Sequence, residues 1–130
     1  MDEYLEKGKS FQRLLAEYER HGSLFIGVDF DGTLHDYHKT GATYHDVRNL
    51  VRDLKKIGCV IIIWTAYENL DYVNNFCVEH KIPIDGINID AIPLSYATRK
   101  PFFSALLDDR AGLIQVYEEL SLLVKNVNSK

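Results

Sequence analysis

The stretch that decides the fold is LFIGVDFDGTL, residues 24–34. Its first part, residues 24–28, is apolar without alternation, which predicts a strand that is covered on both faces within a parallel sheet. The apolar run stops at Asp29, and Gly32 lets the backbone turn tightly after the strand, so that Asp29 and Asp31 can face the same ligand. The stretch therefore predicts a buried strand with two carboxylates at its carboxyl end.

Outward from this strand, the apolar patterns of strands and helices alternate in the order β-α-β-α-β-β-α, after an extra N-terminal helix. The further predicted strands are Val60 to Trp64, Ile87 to Ile89, and Phe102 to Leu107. Four helices are predicted, and the first spans residues 3–20. The second begins at a capping box formed by Thr43 and Asp46 and ends at Gly58. The third spans residues 70–80, and the last runs from Leu113 to Leu123. This alternation predicts an α/β fold, a Rossmann-like three-layer α/β/α sandwich with a mostly parallel sheet.

We expect the chain to form one domain, because its 130 residues, 46% of them hydrophobic, can bury about two thirds of the extended-chain surface. It divides into an N-terminal helical extension over residues 1–22, a core over residues 23–125 and a frayed tail over residues 126–130. No apolar run approaches the roughly 18 residues of a membrane span, and residues 1–9 are charged where a signal peptide is apolar. We therefore expect a soluble, cytoplasmic protein without a membrane partner.

Charge and cysteine usage disfavour two further classes of partner. The formal charge of −4 gives no basic footprint for a nucleic-acid backbone, so nucleic acid is an unfavourable main partner. Cys59 and Cys77 lie inside apolar stretches without CxxC or histidine spacing. This context predicts two buried thiols rather than a disulfide or a zinc site.

Polar residues follow the ends of three predicted strands: Asp29-Phe30-Asp31-Gly32-Thr33, Thr65-Ala66 and Asp108-Asp109. Because parallel strands end at one edge of a sheet, we expect the four carboxylates to converge, which is unfavourable unless a cation compensates or some carboxyls stay protonated. All the candidate ligands are oxygens, which favours Mg²⁺ over zinc. The groups suited to phosphate are the Thr65 hydroxyl, the Lys100 ammonium and the N–H donors around Gly32, which together indicate phosphoryl chemistry.

Taken together, these motifs resemble those of the haloacid dehalogenase superfamily of Mg²⁺-dependent phosphatases. VDFDGTL at residues 28–34 is similar to the first motif of that family, and IIIWT, which ends at Thr65, is similar to the second. Lys100 resembles the third motif, and LLDDRAG at residues 106–112 resembles the acidic fourth. The resemblance covers about residues 24–112, and four motifs in order are far more specific than a single DxD.

The resemblance implies a role for each of these residues. Asp29 is the expected nucleophile, which forms an aspartyl-phosphate, and Asp31 is the expected acid that protonates the leaving group and then activates water. The implied Mg²⁺ ligands are Asp29, the backbone carbonyl of Asp31, Asp108 and, directly or through water, Asp109. The implied phosphate-binding residues are Thr65, Ala66, Lys100 and Gly32.

The chain lacks a cap domain of the kind that many members of this family carry. Residues 35–42 leave room only for a short hairpin flap, and residues 68–99 hold one helix, a short strand and a loop. Open sites of this kind tend to admit large substrates or to be closed by another subunit, and the sequence leaves the oligomeric state open. The apolar stripe of the N-terminal helix is expected to pack on its own domain rather than to form a dimer.

The resemblance implies a Mg²⁺-dependent phosphomonoesterase, and it indicates the reaction type better than the substrate. The substrate that we favour is a nucleotide or another small phosphorylated metabolite. A polynucleotide-end phosphatase or a phosphoprotein phosphatase with the same site is an alternative. A non-catalytic phosphoacceptor or binding module is an alternative of a different class, although the order of the motifs differs from that of receiver domains.

Other polar and aromatic residues are expected to lie near the substrate or to support the site. The residues that the sequence places near the substrate are Tyr37, Tyr44, Asn88, Tyr96 and Arg99. Arg110 is expected to pair with a nearby carboxylate. The residues His35, Asp36, His38 and His45 crowd the flap without the spacing of a metal site, so a solvated loop is the favoured interpretation there.

Overall fold

The computed structural model of the chain describes residues 1–92 and 99–130, along which helices and strands alternate. The elements are a short 3-10 helix Glu3–Leu5, α1 Lys9–His21, β1 Phe25–Val28, α2 His45–Lys56, β2 Val60–Ile63, α3 Leu70–Glu79, β3 Gly86–Ile87, β4 Ala105–Leu107 and α4 Leu113–Asn128. This order confirms the predicted β-α-β-α-β-β-α alternation. The predicted substrate contact Tyr96 lies outside the described residues.

The four strands form one sheet in the order β3-β2-β1-β4, and every pair of neighbours is parallel. In β1, Val28 is in register with Ile63 of β2 on one side and with Leu107 of β4 on the other. The fold is therefore α/β and Rossmann-like, with a parallel sheet flanked by helices. The strand order reverses beside β1, and a reversal of this kind places a ligand crevice at the carboxyl ends of the strands.

One face of the sheet carries the main apolar core. Alternate strand residues on this face, Ile26 and Val28 of β1 and Ile61 and Ile63 of β2, are fully buried. The helices cover them with the predicted stripe of α2 and with the inner side of α4, through Val47, Leu50, Val51, Leu54, Leu120, Leu123 and Val124. Burial of each such side chain stabilises the fold by about 1.5–3 kcal/mol, which fixes β1 in the middle of the sheet.

The opposite face of β1 is covered closely by an aromatic ring. A Cβ atom built on Gly27 would lie 2.6 Å from the ring of Phe103, so only glycine leaves room for the ring at this position. Phe103 also meets Trp64 edge to face, with 6.0 Å between the ring centroids. The segment that enters β4 therefore packs directly on β1.

The N-terminal extension differs in detail from the predicted helix over residues 3–20. Gly8 adopts a left-handed conformation with φ of +89° and separates the 3-10 helix from α1, so the single predicted helix is wrong. The expectation that α1 packs on its own domain is confirmed, since Leu14 is buried in the core and the Tyr18 hydroxyl donates to the Ile57 carbonyl at 2.6 Å.

Three boundary predictions are also wrong. The side chain of Thr43 does not cap α2, because Tyr44 precedes the helix with φ of +52° and no side-chain cap bond forms. Strand β4 begins at Ala105 rather than at Phe102, and α4 continues to Asn128 through most of the tail that was expected to fray. Between β1 and α2 the only pairing is an isolated bridge from Asp31 to His35, so the predicted hairpin flap is a loop.

Ile89 also lies outside the strand predicted for residues 87–89, because β3 ends at Ile87. The Ile89 side chain instead folds back over Gly86, where an added Cβ would collide with it. Across residues 1–92 and 99–130, none of the helices has the length and apolar character that a bilayer crossing demands.

Replacement of Gly27 by alanine should lower the free energy of unfolding by about 1–3 kcal/mol, because the added methyl forces the Phe103 ring to move. Chemical denaturation of the wild type and the variant measures this loss. The loss should be smaller when Phe103 is first replaced by leucine, and an equal loss in both backgrounds would contradict the packing described here.

Candidate functional site

Asp29 lies at the carboxyl edge of the sheet, between β1 and β4. Its backbone N–H donates to the Leu107 carbonyl at 2.8 Å, which continues the parallel pairing of these strands by one residue. On the other side, the Trp64 N–H donates to the Val28 carbonyl at 2.9 Å. Asp29, Thr65 and Asp108 follow the carboxyl ends of β1, β2 and β4. These bonds bring the three residues to one edge of the sheet, as the sequence predicts.

The chain after Asp29 forms a tight turn around a buried Phe30. The N–H groups of Leu34 and His35 both donate to the Phe30 carbonyl at 2.9 Å, and Gly32 adopts φ of +81°. The Gly32 N–H closes the turn by donating to the His35 carbonyl at 3.0 Å. The turn explains how Asp31 and His35, four residues apart, come to lie side by side.

Thr33 is a residue of the candidate site for which the sequence pattern predicts no role. Its side chain is fully buried, and its hydroxyl donates to Asp29 Oδ2 at 3.0 Å. The same hydroxyl oxygen accepts the backbone N–H of Asp109 at 3.1 Å. Thr33 therefore ties the first acidic loop to the last one, and its place directly after the Asp-Gly turn is the signal that could have identified it.

Three of the four predicted carboxylates meet in one cluster. Asp29, Asp108 and Asp109 each present an oxygen, and these oxygens lie within 4.8 Å of one another. The carboxylate of Asp31 is not part of this cluster, because its Oδ1 lies 2.7 Å from His35 Nδ1. The expectation that all four side chains converge is therefore wrong for Asp31, whose side chain instead lines the same cleft.

The cluster perturbs the ionisation of Asp29. Burial, the hydrogen bond with Asp109 and the negative charge of Asp108 raise the pKa of Asp29 from 3.8 to about 7, against a smaller lowering by the Thr33 hydroxyl. Asp29 resists ionisation because it is partly buried and lies beside other acidic groups. A bound cation would favour its ionised form and lower its pKa. The donors are all carboxylate oxygens, which suits a hard divalent ion.

A cleft of about 440 Å³ opens above the cluster. It is lined by the predicted residues Asp29, Asp31, Gly32, Thr65, Ala66, Asp108 and Asp109, together with Tyr37, His38 and Arg110. The rings of Tyr37 and His38 stack on each other, with their centroids 5.2 Å apart. The cleft thus combines carboxylates at its base with flat rings and a guanidinium group.

Lys100 is the predicted site residue that does not line this cleft. It lines a neighbouring pocket with Trp64, Pro101 and Phe103. Ser104 pairs with Phe25 at the amino end of β1, and in the segment before Ser104 the ring of Phe103 contacts Trp64. The phosphate-binding role of Lys100 stays a prediction.

Thr65 is held in place by Asn88. The Asn88 side chain accepts the Thr65 backbone N–H at 2.8 Å and donates to the Thr65 carbonyl at 2.8 Å. The Thr65 hydroxyl oxygen accepts the Tyr67 N–H at 3.0 Å, so its own proton can be donated into the cleft. Both ends of the Asn88 amide therefore bind protein, which makes Asn88 a support for Thr65 rather than the predicted substrate contact.

Three other residues with a predicted role, Tyr44, Arg99 and Arg110, do not form the contacts that the sequence predicts. Tyr44 and Arg99 are not among the residues that line the cleft. The backbone N–H of Arg110 donates to Asp108 Oδ1 at 2.9 Å, and within the described ranges its side chain forms no ion pair, so the predicted pairing of its side chain with a carboxylate is wrong. Asp36 accepts bonds from Thr40 and Gly41 and so closes the flap loop on itself.

Comparison with solved structures agrees with the fold. The chain is similar to a conserved protein from Bacteroides thetaiotaomicron, with a TM-score of 0.62 and 23% identity, over 77% of this chain and 91% of that one. A protein from Vibrio cholerae gives a TM-score of 0.48 at 22% identity, over 79% of this chain and 98% of that one. No family model and no curated protein matches the chain. At this identity the Bacteroides protein shows the fold alone.

In the absence of divalent cations, Asp29→Asn should stabilise the protein at pH 8. The unfolded chain releases the Asp29 proton near pH 4 and the folded chain near pH 7, so ionisation of Asp29 destabilises the folded state as the pH rises between these values. We expect the variant to melt roughly 3 °C or more above the wild type at pH 8, and to lose this advantage at pH 4.

Thermal melts of chelator-treated protein across this pH range test the effect. The matched control is Glu79→Gln, which removes an exposed carboxylate at the end of α3. A variant that melts below the wild type at pH 8 would contradict the raised pKa of Asp29.

Proposed function

We propose that the chain is a Mg²⁺-dependent phosphomonoesterase that works through an aspartyl-phosphate on Asp29, in the manner of the haloacid dehalogenase superfamily that its motifs resemble. The observation that carries the proposal is the meeting of Asp29, Asp108 and Asp109 oxygens within 4.8 Å at the carboxyl ends of β1 and β4. Asp31 and Thr65 line the same cleft, so a nucleophile, an acid and a hydroxyl donor surround one space.

The donor set fits Mg²⁺, with Asp29, Asp108 and Asp109 as the side chains that would hold it. When bound, the ion neutralises the carboxylates and the phosphoryl oxygens, which lets one anion approach another. The Thr33 hydroxyl holds the Asp29 carboxylate in one orientation from inside the protein, at 3.0 Å from Oδ2. Asp29 is therefore positioned before a substrate arrives, which lowers the entropic cost of the attack.

The proposed reaction has two steps. An Asp29 oxygen forms a bond to phosphorus while the bond from phosphorus to the leaving oxygen breaks, and Asp31 gives that oxygen its proton. Asp31 then takes a proton from water, whose oxygen attacks the phosphorus and displaces the Asp29 carboxylate. The products are an alcohol and inorganic phosphate, and both aspartates return to their starting state.

Two residues that line the cleft, Thr65 and Arg110, are suited to donate to the phosphoryl oxygens. Thr65 offers its hydroxyl proton from a position that Asn88 fixes. Arg110 is also among the residues that line the cleft, and a guanidinium that turns toward a bound phosphate can donate two N–H groups to it. Lys100 would add a further cation if its side chain reached past Trp64.

The flap favours a substrate with a flat leaving group. Tyr37 and His38 stack at the cleft, and the flap loop that carries them is closed by the bonds from Thr40 and Gly41 to Asp36. A preformed aromatic surface beside a phosphate site suits the base of a nucleotide, since base stacking on an aromatic side chain contributes about 1–3 kcal/mol. We therefore favour a nucleotide over a sugar phosphate or a phosphoprotein, and the net charge of −4 disfavours a polynucleotide end.

Purified protein should hydrolyse 4-nitrophenyl phosphate only when Mg²⁺ is present, and a chelator should abolish the activity reversibly. Asp29→Asn should reduce kcat by roughly 10³-fold or more, because the variant lacks the carboxylate that attacks phosphorus. The control Glu79→Gln should keep the wild-type rate. Robust turnover by Asp29→Asn would refute the assignment of the nucleophile, and a long-lived phosphorylated chain without turnover would indicate a phosphoacceptor module.

Tyr37→Ala should reduce kcat/KM for nucleoside monophosphates by about 5- to 150-fold, the range that corresponds to one stacked base. The same change should affect a small alkyl phosphate much less. Tyr4→Ala is the matched control, because Tyr4 is as exposed as Tyr37, 55% against 54%, and lines a groove away from the cleft. Equal losses on both substrates would exclude base stacking on Tyr37.

A further inference from the structure

Asp31 is held by a second residue on the same turn. His35 Nδ1 lies 2.7 Å from Asp31 Oδ1, and His35 Nε2 lies 3.0 Å from the Tyr72 hydroxyl. A carboxyl oxygen without a proton accepts, so we assign the proton of the first contact to His35 Nδ1, which leaves Nε2 for the Tyr72 hydroxyl. The two contacts occupy both nitrogens of the ring.

The ring of His35 is also fixed by its aromatic neighbours. It stacks on Phe30 with the centroids 4.7 Å apart and the planes within 8°, and the ring of Phe76 meets it edge to face at 4.9 Å. Tyr67 and Tyr72 contact it edge on at 6.0 and 5.5 Å. Only 14% of the His35 side chain is exposed, so the surrounding rings leave it one orientation.

This arrangement decides which oxygen of Asp31 can exchange a proton with a substrate. Oδ1 accepts from His35, so a proton that Asp31 carries is left to Oδ2. The side chain of Asp31 is 30% exposed and would otherwise change rotamer in the open cleft. A general acid is effective only when its proton lies within hydrogen-bond reach of the leaving oxygen.

We propose that His35 is the positioning residue of Asp31, and that Tyr72 and the rings of Phe30 and Phe76 hold His35 in turn. The proposal rests on the proposed function, in which Asp31 protonates the leaving group. It assigns the site to phosphate esters of alcohols, whose leaving oxygen requires a proton, as in the nucleoside monophosphates favoured above. Esters of acidic phenols depend much less on this proton.

Two variants separate the hydrogen bond from the packing. His35→Phe keeps a flat ring against Phe30 and loses the donor to Asp31, whereas His35→Asn keeps a donor near the position of Nδ1 and loses the ring. The assay compares an alkyl phosphate with 4-nitrophenyl phosphate at saturating Mg²⁺. His35→Phe should lose roughly 10²-fold in kcat/KM on the alkyl ester, at least tenfold more than on the aryl ester, because kcat/KM reports the step in which the leaving oxygen takes its proton. The losses on the two esters are compared in kcat/KM, since the second step is common to both.

His35→Asn should recover a large part of the alkyl-ester activity that His35→Phe loses, and Tyr72→Phe should lose less than His35→Phe. Equal losses on the two esters, or a variant His35→Asn that is no better than His35→Phe, would overturn the proposal. Either result would mean that His35 serves only the packing of the turn.

A spectroscopic measurement tests the same contact without turnover. In histidine labelled with nitrogen-15, the His35 ring should carry its proton on Nδ1, and Asp31→Asn and Tyr72→Phe should each shift its nitrogen signals. Signals that do not respond to Asp31→Asn would overturn the proposal. If the contact is present but the wild type hydrolyses no phosphate ester, the proposed function fails, and the catalytic part of this inference fails with it.

Discussion

The parallel pairing of β1 with β4 is the constraint on which the rest of the site depends. The register that places Val28 beside Leu107 also places Asp29 beside Asp108, because each acid directly follows its paired strand residue. Buried aliphatic side chains on one face of β1 and the Phe103 ring on the other fix that register. A shift of one residue would turn the core face of the strand outward, so the core holds the acids together even though they repel each other.

The repulsion among these acids therefore destabilises the folded state, and the packing of the core offsets this cost. Burial, the hydrogen bond with Asp109 and the charge of Asp108 together raise the pKa of Asp29 to about 7, and the Thr33 hydroxyl offsets part of this rise. Asp31 is kept out of the cluster by His35, which separates the group that would attack from the group that would move protons. The same turn thus supplies two aspartates with different surroundings, and different surroundings are what allow two carboxyl groups to perform different chemistry.

Much of this arrangement could be predicted from the sequence, because it depends on local patterns. The apolar run before Asp29, the stripe of α2 and the glycine after Asp31 each specify their own conformation. The break at Gly8 was missed because helical spacing continues across it, and Lys100 lines a pocket with Trp64, which is distant along the chain. The contact between His35 and Tyr72 joins residues in different elements, so only the packing of α3 against the turn reveals it.

The claim that Asp29, Asp108 and Asp109 form one cation site is tested most directly by calorimetric titration of chelator-treated protein with Mg²⁺. We predict that one ion binds to each chain and that Asp108→Asn weakens its affinity at least tenfold, while Asp71→Asn, a change on the surface of α3, leaves it unaltered. Absence of Mg²⁺ binding, or binding that Asp108→Asn does not weaken, would contradict the account.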